Sequence, residues 1–131
     1  MKQIVLVSLV VMLLSGCSKD SSGPAFNDEI KPVLTIIAPA KSSNYKAGDP
    51  LCFTGDVIDA SSIKQVKLEL YNSRDLTKPV LSYNFPGTGK SMYIEQKAII
   101  PATLNGTCVL HFEATDYYDN RAVTIMEFSA N

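Results

Sequence analysis

The 131-residue sequence has no tryptophan, one histidine and no basic run. Its 12 Lys and Arg residues nearly balance its 13 Asp and Glu residues, so the net charge is −1. A chain of this kind lacks the electrostatic footprint of a nucleic-acid-binding protein, and nucleic acid is not an expected partner. No segment keeps a helical spacing of apolar residues over about twelve positions, so long helices are not expected.

The residues that enzymes use most are few and unfavourably placed. His111 is the only imidazole, and it lies three positions from Cys108 on a predicted strand, so the two side chains point to opposite faces. A serine triad would need His111 as its base, and no zinc-ligand spacing occurs. The stretch Gly87-Thr88-Gly89-Lys90 is the nearest to a phosphate loop, but a hairpin turn explains it better. The sequence predicts a protein that is not an enzyme and has no catalytic residues.

The longest apolar run lies near the amino terminus, from Ile4 to Leu14, after a charged start. It is shorter than the roughly 20 residues of a membrane-spanning helix and is typical of a signal peptide. The segment at the end of this run, Leu14-Ser15-Gly16-Cys17, resembles the lipobox of bacterial lipoproteins. The resemblance implies a signal peptide over residues 1–16 and a lipidated Cys17 as the mature N-terminus. The alternative is an ordinary signal peptide followed by an unrelated cysteine.

Residues 17–29 contain too few apolar side chains to offset their ordering entropy, so we expect a flexible tether there. Several acyl chains on one cysteine hold a protein stably at a membrane, whereas one chain alone is marginal. The expected location is therefore the bacterial cell envelope, with the lipid in the outer membrane. Surface-exported lipoproteins of Bacteroidota often carry acidic residues after this cysteine. Asp20 is the only acid close behind Cys17, so the periplasmic and surface faces both stay open.

From residue 30 onward, short β-like runs alternate with turn residues, a pattern typical of all-β sandwiches and barrels. In one run Val66, Leu68 and Leu70 share a face, while polar residues occupy the other. One buried and one wet face is typical of antiparallel sandwich strands. The seven predicted strands are Pro32–Ala38, Pro50–Ile58, Lys64–Tyr71, Pro79–Phe85, Ser91–Ile100, Thr107–Thr115 and Ala122–Phe128.

The order of these runs is similar to that of a known class of module. The pattern Gly-x-x-x-Leu-x-x-x-Ala-x-Asp-x-x-x-Asn is formed by Gly106, Leu110, Ala114, Asp116 and Asn120. With segments such as AGDPLCFTGDVID, it resembles the small immunoglobulin-like, cadherin-like lipoprotein domains of unknown function that are common in Bacteroidota. The resemblance implies an antiparallel two-sheet immunoglobulin-like sandwich over residues 30–131. It implies no activity, because one fold hosts many functions.

Cys52 and Cys108 remain as a pair once Cys17 is lipidated, in an oxidising compartment that favours disulfides. They fall on the two strands that an antibody domain joins by its inter-sheet bridge. Alternation argues instead for two separate thiols, because Cys108 points inward with Leu110 whereas Cys52 points outward. A bulge near Pro50 would reverse that parity. The bridge and the two free thiols both stay open.

Successive reversals of strand direction bring acids from distant segments to one pole of a sandwich. We consider a calcium site there, because Ca²⁺ takes about six to eight oxygen ligands and cadherin-like modules, which the sequence resembles, bind calcium at such corners. The competing interpretation is turn chemistry, in which the acids cap their own backbone and Asn120 adopts a left-handed conformation. The candidate ligands are Asp28, Glu29, Asp59, Asp116, Asp119 and Asn120.

Two functions from different classes fit the sequence. The first is a membrane-tethered binding or adhesion module, with an unknown envelope protein or glycan as partner. Tyr45, Tyr117 and Tyr118 are its candidate contacts, because loop tyrosines offer contact area at low entropy cost; the alternative is that these rings pack within the loops. The second is a structural accessory lipoprotein of a larger envelope complex, such as a nutrient importer. An exposed apolar patch on a sheet would favour this second function.

Overall fold

The computed structural model describes residues 28–131. This part of the chain is all-β and contains no helix, hence no helix long and apolar enough to cross a membrane. The predicted signal peptide, Cys17 and nearly all of the predicted tether lie outside the described residues. The strands are β1 (Val33–Ala38), β2 (Asn44–Tyr45), β3 (Pro50–Asn72), β4 (Leu81–Ile99), β5 (Gly106–Asp116) and β6 (Arg121–Ala130).

The six strands form one curled sheet, in the order β1-β3-β5-β6-β2, with β4 also paired to β3. All pairs are antiparallel except the short parallel pair of β2 with β6. The first half of β3 pairs with β1 through Thr54–Ile58, and its second half pairs with β5 through Ile63–Asn72. Strand β4 follows β3 along both halves. The long β3 therefore serves two different sets of neighbours.

The all-β class is confirmed. The sequence predicts separate strands in two antiparallel sheets, whereas the structure has one continuous, mixed sheet. The predicted strands Pro50–Ile58 and Lys64–Tyr71 are both parts of β3. Likewise, Pro79–Phe85 and Ser91–Ile100 fall mostly within β4. The turn residues between them bend the strands without ending them. Strand β2 is absent from the prediction because two residues are too few to show an alternation.

A side chain supports the bend in β3. The pairing register of β3 shifts between Ile58 and Ile63, where the ladder is interrupted. There Asp59 Oδ1 accepts hydrogen bonds from the backbone N–H groups of Ser61, at 2.8 Å, and Ser62, at 3.1 Å. These bonds satisfy backbone donors that the interrupted ladder leaves without strand partners. The segment can therefore turn a corner and continue as a strand.

A glycine permits the matching bend in β4. Gly87 lies against the backbone of Ile63, so close that a Cβ atom on Gly87 would lie 1.7 Å from the Ile63 carbonyl oxygen. Only a residue without a side chain allows this approach. The hairpin turn predicted at Gly87–Lys90 is wrong, because this segment lies inside β4 and crosses the corner of β3.

The hydrophobic core lies between the two halves of the curled sheet. Phe53, on the first half of β3, and Phe112, on β5, are not ladder partners. Their rings nevertheless meet edge to face, with centroids 4.9 Å apart. Both side chains are almost fully buried. A cavity beside Phe53 measures about 10 Å³, room for at most one water molecule, so side chains and not a ligand fill this region.

Candidate functional site

Three carboxylates from distant parts of the chain meet at one end of the sheet. They belong to Asp28 before β1, Asp59 at the corner of β3 and Asp116 at the end of β5, and one oxygen of each lies within 4.8 Å of the others. Asp59 and Asp116 are 4% and 0% exposed, and Asp28 is half-buried. The pairing of Ile63 with Asp116 brings the β3 corner beside the end of β5. We call these three residues the acidic triad.

Asp59 uses only one of its carboxylate oxygens within the protein. Its Oδ1 accepts hydrogen bonds from the backbone of Ser61 and Ser62 and from the Ser61 hydroxyl. Its Oδ2 is buried and has no hydrogen-bond partner among residues 28–131. Leaving a buried polar atom unsatisfied costs about 1–3 kcal/mol, and more when the group is charged. A partner at this oxygen would therefore remove an energetic cost from the folded state.

Asp116 is held in place by the turn that joins β5 to β6. Its Oδ1 accepts hydrogen bonds from the backbone N–H groups of Tyr118 and Asn120, both at 2.8 Å. Its Oδ2 accepts a hydrogen bond from the Asn120 amide, also at 2.8 Å. The acids thus do cap their own turns, as the competing interpretation predicts. The left-handed residue of this turn is Asp119, with a φ of 64°, and not Asn120.

Asn120 joins the segment before β1 to the same turn. Its amide nitrogen donates a hydrogen bond to the backbone carbonyl of Asp28 at 2.6 Å. Asp28 Oδ1 in turn accepts a hydrogen bond from the Ile30 backbone N–H at 2.9 Å. Since the Asn120 amide acts as a donor toward Asp28 and Asp116, it orients two members of the triad. Its position is that of a supporting residue beside the carboxylates.

The other two candidate ligands stand outside the triad. Asp119 Oδ1 lies 2.6 Å from Lys64 Nζ, and both side chains are well exposed. This hydrogen bond and the charge of Asp119 raise the pKa of Lys64. Glu29 follows Asp28 in the chain but is not one of the three grouped carboxylates. The six candidates therefore separate into a triad, a supporting amide, an ion pair on the surface and Glu29.

The triad offers a donor set made of oxygen atoms alone. Hard cations such as Ca²⁺ prefer this set, and Ca²⁺ accepts irregular geometry and bound water, whereas Mg²⁺ demands a regular octahedron. Burial strengthens the mutual repulsion of the three carboxylates, because charges interact more strongly away from bulk water. A divalent cation would neutralise that repulsion and supply a partner for Asp59 Oδ2. Asp28, Asp59 and Asp116 would hold it.

The two cysteines of the domain are free thiols, Cys52 exposed and Cys108 buried. Of the two alternatives, the structure has the separate thiols, with the orientations that strand alternation indicates. Burial raises the pKa of the Cys108 thiol. A buried thiol with a raised pKa is a poor nucleophile. His111, half-buried on β5, packs against the Tyr71 ring with centroids 4.9 Å apart.

The candidate partner-contact tyrosines differ in their surroundings. Tyr45 packs edge to face against Phe128, with ring centroids 5.3 Å apart, and is half-buried at the margin of the core. Tyr117 and Tyr118 are 64% and 48% exposed. They lie on the β5–β6 turn, directly after Asp116. The exposed aromatic surface among the candidates is therefore next to the acidic triad.

An exposed apolar patch on β1, β3 and β4 is absent from the predicted contact residues. Val33 and Ile58 are direct cross-strand partners on β1 and β3, and both side chains are exposed. Tyr93 on β4 is diagonal to Ile58 and is also exposed. The sequence signal for this patch is the consecutive pair Val57-Ile58, which places apolar residues on both faces of β3.

No protein-family model matches this chain, and no curated protein matches it. Among solved structures, a β-glucosidase from Listeria innocua in complex with glucose is similar over 76% of this chain, with 9% sequence identity and a TM-score of 0.45. The chain spans only 16% of the length of that enzyme chain. A similarity this distant carries no functional argument, so the site rests on its own chemistry.

Proposed function

We propose that this chain is a lipid-anchored, immunoglobulin-like, non-catalytic binding module of the bacterial cell envelope, stabilised by calcium at the acidic triad. The observation that carries the calcium site is Asp59 Oδ2, a buried carboxylate oxygen that lies beside two further carboxylates and has no partner in the described part of the chain. The binding surface would include Tyr117 and Tyr118, which are exposed next to the triad. Its partner would be an envelope protein or glycan.

The pairing of the strands supports an immunoglobulin-like sandwich. Strand β1, the first half of β3 and the second half of β4 form one set of neighbours. The first half of β4, the second half of β3, and strands β5, β6 and β2 form another. The contact of Phe53 with Phe112 joins the two sets across the core. Two strands that bend at shared corners would then connect the two sheets of the sandwich.

The anchor rests on the lipobox-like segment that ends at Cys17. When the full chain is produced in a bacterial host with a labelled fatty acid, we expect the label on the protein and the protein in the membrane fraction. The Cys17→Ser variant should lose both. A Cys52→Ser variant is the matched control, because Cys52 is exposed and lies outside the predicted lipobox. Label that persists in Cys17→Ser would contradict the anchor.

Calcium binding is tested by the melting temperature of the full chain in millimolar calcium and in chelator. A ligand at a hundredfold excess over its dissociation constant stabilises the folded state by about 2.7 kcal/mol. For a domain of this size, 1 kcal/mol corresponds to a shift of roughly 4–8 °C. We therefore expect calcium at this excess to raise the melting temperature by about 10–20 °C.

Two variants distinguish a specific effect of the triad from a general effect of negative charge at this end of the sheet. Asp59→Asn removes one triad carboxylate and should abolish the calcium-dependent shift. It should also melt no lower than the parent in chelator, because it relieves repulsion within the triad. Asp119→Asn removes an equal charge from the exposed ion pair with Lys64 and should keep the shift. The same shift in both variants, or none in the parent, would refute the site.

A second candidate function, the structural accessory of a larger complex, is favoured by the exposed apolar residues Val33, Ile58 and Tyr93. Recovery of the tagged, lipidated chain from its native envelope should then yield a stable complex. Ile58→Ser should weaken that complex, whereas Ile125→Ser, at an exposed position on β6, should not. Equal losses in the two variants would argue against this surface.

A further inference from the structure

Strand β4 forms an open edge of the sheet. Over its 19 residues it pairs only with β3, so its other side has no strand partner among residues 28–131. An edge of this length is a template for pairing with another strand unless side chains block it. On the outer face of its second half, two opposite charges, Glu95 and Lys97, lie between two apolar residues, Tyr93 and Ile99.

The hydrogen bonds of Ile100, directly after β4, show which backbone groups of β4 face the open edge. Ile100 donates its N–H to the Asp49 carbonyl and accepts the Gly48 N–H, both at 2.9 Å, so its backbone faces the β3 side. Because backbone direction alternates along an antiparallel strand, Ile99 and every second residue before it face the open edge. Pro50, the register partner of Ile99, has no N–H to donate, and this assignment needs none from it.

Four residues therefore offer both N–H and C=O groups to the open edge, and the pairing register between β3 and this half of β4 has no shift that would interrupt the alternation. Their side chains are all exposed on the outer face of the sheet. The Lys97 carbonyl already accepts a hydrogen bond from the Gln96 side chain, at 2.8 Å. The four residues are Tyr93, Glu95, Lys97 and Ile99.

We propose that this segment of β4 pairs antiparallel with the same segment of a second copy of the chain, about a two-fold axis at Gln96. In this register Glu95 lies opposite Lys97 of the second copy, and Tyr93 lies opposite Ile99 of the second copy. A two-fold axis repeats each pair, as a self-complementary interface requires. Opposite charges and aromatic–aliphatic pairs placed directly across strands are both stabilising.

The neighbouring registers are less favourable. An axis at Glu95 would place two glutamates opposite each other, and an axis at Lys97 would do the same with two lysines, which is destabilising. An axis at Ile94 would place Tyr93 opposite Glu95 and Lys97 opposite Ser91, so no opposite charges would face each other across the two strands, and Lys97 would keep only its ion pair with Glu95 of its own chain, at 3.4 Å. The order Tyr-x-Glu-x-Lys-x-Ile therefore selects Gln96 as the centre.

The apolar positions of the segment also favour a second copy. Tyr93 and Ile99 are each 60% exposed in the single chain. An open groove of about 550 Å³, lined by Pro50, Cys52 and Ile99 among others, lies beside Ile99. The Tyr93 ring of the second copy would lie at this groove. Pairing would thus cover two large exposed side chains in each copy, in addition to the edge hydrogen bonds.

The test is the dimer fraction of the full chain, extracted in mild detergent and measured by native mass spectrometry over a dilution series. We expect a concentration-dependent dimer. Lys97→Glu, which places like charges opposite each other twice, should raise the dissociation constant about tenfold or more. The double variant Glu95→Lys with Lys97→Glu restores opposite charges in the same register and should recover the parent dissociation constant. Lys90→Glu, outside the paired segment, is the control and should leave it unchanged.

The rescue by the double variant is the decisive result. A chain that is monomeric at every concentration would overturn the proposal, as would a dimer unaffected by Lys97→Glu. Failure of the double variant to recover the dimer, although it remains folded by circular dichroism, would also overturn it. A complex in which a different protein, and not a second copy, pairs with this edge would refute the self-pairing.

Discussion

Replacing Gly87 with alanine is the most direct test of the corner at which β3 and β4 bend together. The new Cβ would lie 1.7 Å from the Ile63 carbonyl oxygen and 2.5 Å from its carbon. Both contacts are with backbone, so no side chain can rotate away. The two strands would have to separate by more than about 1 Å before the closest contact reached 3.0 Å. That separation would break the ladder where β3 changes neighbours.

We expect Gly87→Ala to destabilise the protein by about 4 kcal/mol or more, the range reserved for overpacking and broken backbone networks. A domain of about 100 residues has a total stability of roughly 5–15 kcal/mol. The variant would therefore lose a large part of its stability or fail to fold. The assay is urea denaturation of the full chain followed by circular dichroism, with the midpoint and slope compared between parent and variant.

Gly89→Ala is the matched control, two residues along the same segment. Gly89 has a φ of 137°, yet a Cβ there would meet nothing within 4 Å. Its replacement should therefore show only backbone strain, about 1–3 kcal/mol. The ranking of the two variants tests the close approach itself. If Gly87→Ala were as stable as the parent to within 1 kcal/mol, or less damaging than Gly89→Ala, the account of the corner would be refuted.

Two further predictions concern single side chains. Cys52 should react with a thiol reagent in the folded chain, whereas Cys108 should react only on unfolding; equal rates, or no free thiols in the unfolded chain, would contradict this. Burial, and then the hydrogen bond to Glu69, raise the pKa of Tyr71 from 10.0 to about 12. The neutral phenol is thus favoured in the folded state, and stability should fall as the pH rises from 10 toward 12. Tyr71→Phe should reduce that fall when urea midpoints are compared across this range.

The alternation of apolar residues predicts the all-β class but not the number of strands. Asp59, Ser61 and Ser62 have the composition of a turn, and sequence reasoning ends a strand there. In the folded chain Asp59 bonds to the serine backbone, and the strand continues past the corner. Whether such residues end a strand or bend it depends on partner strands that lie far away in the sequence. Local composition does not contain that information.

The acidic site can be predicted from the sequence only in part. Asp116 shares its strand face with Phe112 and Ala114, and Asp59 shares its face with Val57, so parity along the strands indicates that both acids point inward. Asp119 lies beyond the end of β5, where no parity rule applies. Its ion pair with Lys64 depends on how the turn folds back over β3. Period-two reasoning thus reaches the buried acids but not the turn residues.

The corner of β3 and the acidic triad share residues and lie in direct contact. Asp59 caps the corner through Oδ1 and belongs to the triad, where its Oδ2 has no partner within the described range. Ile63, which Gly87 touches, is the register partner of Asp116. A cation held by the triad would join the segment before β1, the bend of β3 and the end of β5. At this bend β3 leaves β1 as a neighbour and begins to pair with β5. Calcium would therefore stabilise the point at which the sheet is most interrupted, and this is why we expect its effect to extend to the global unfolding of the chain.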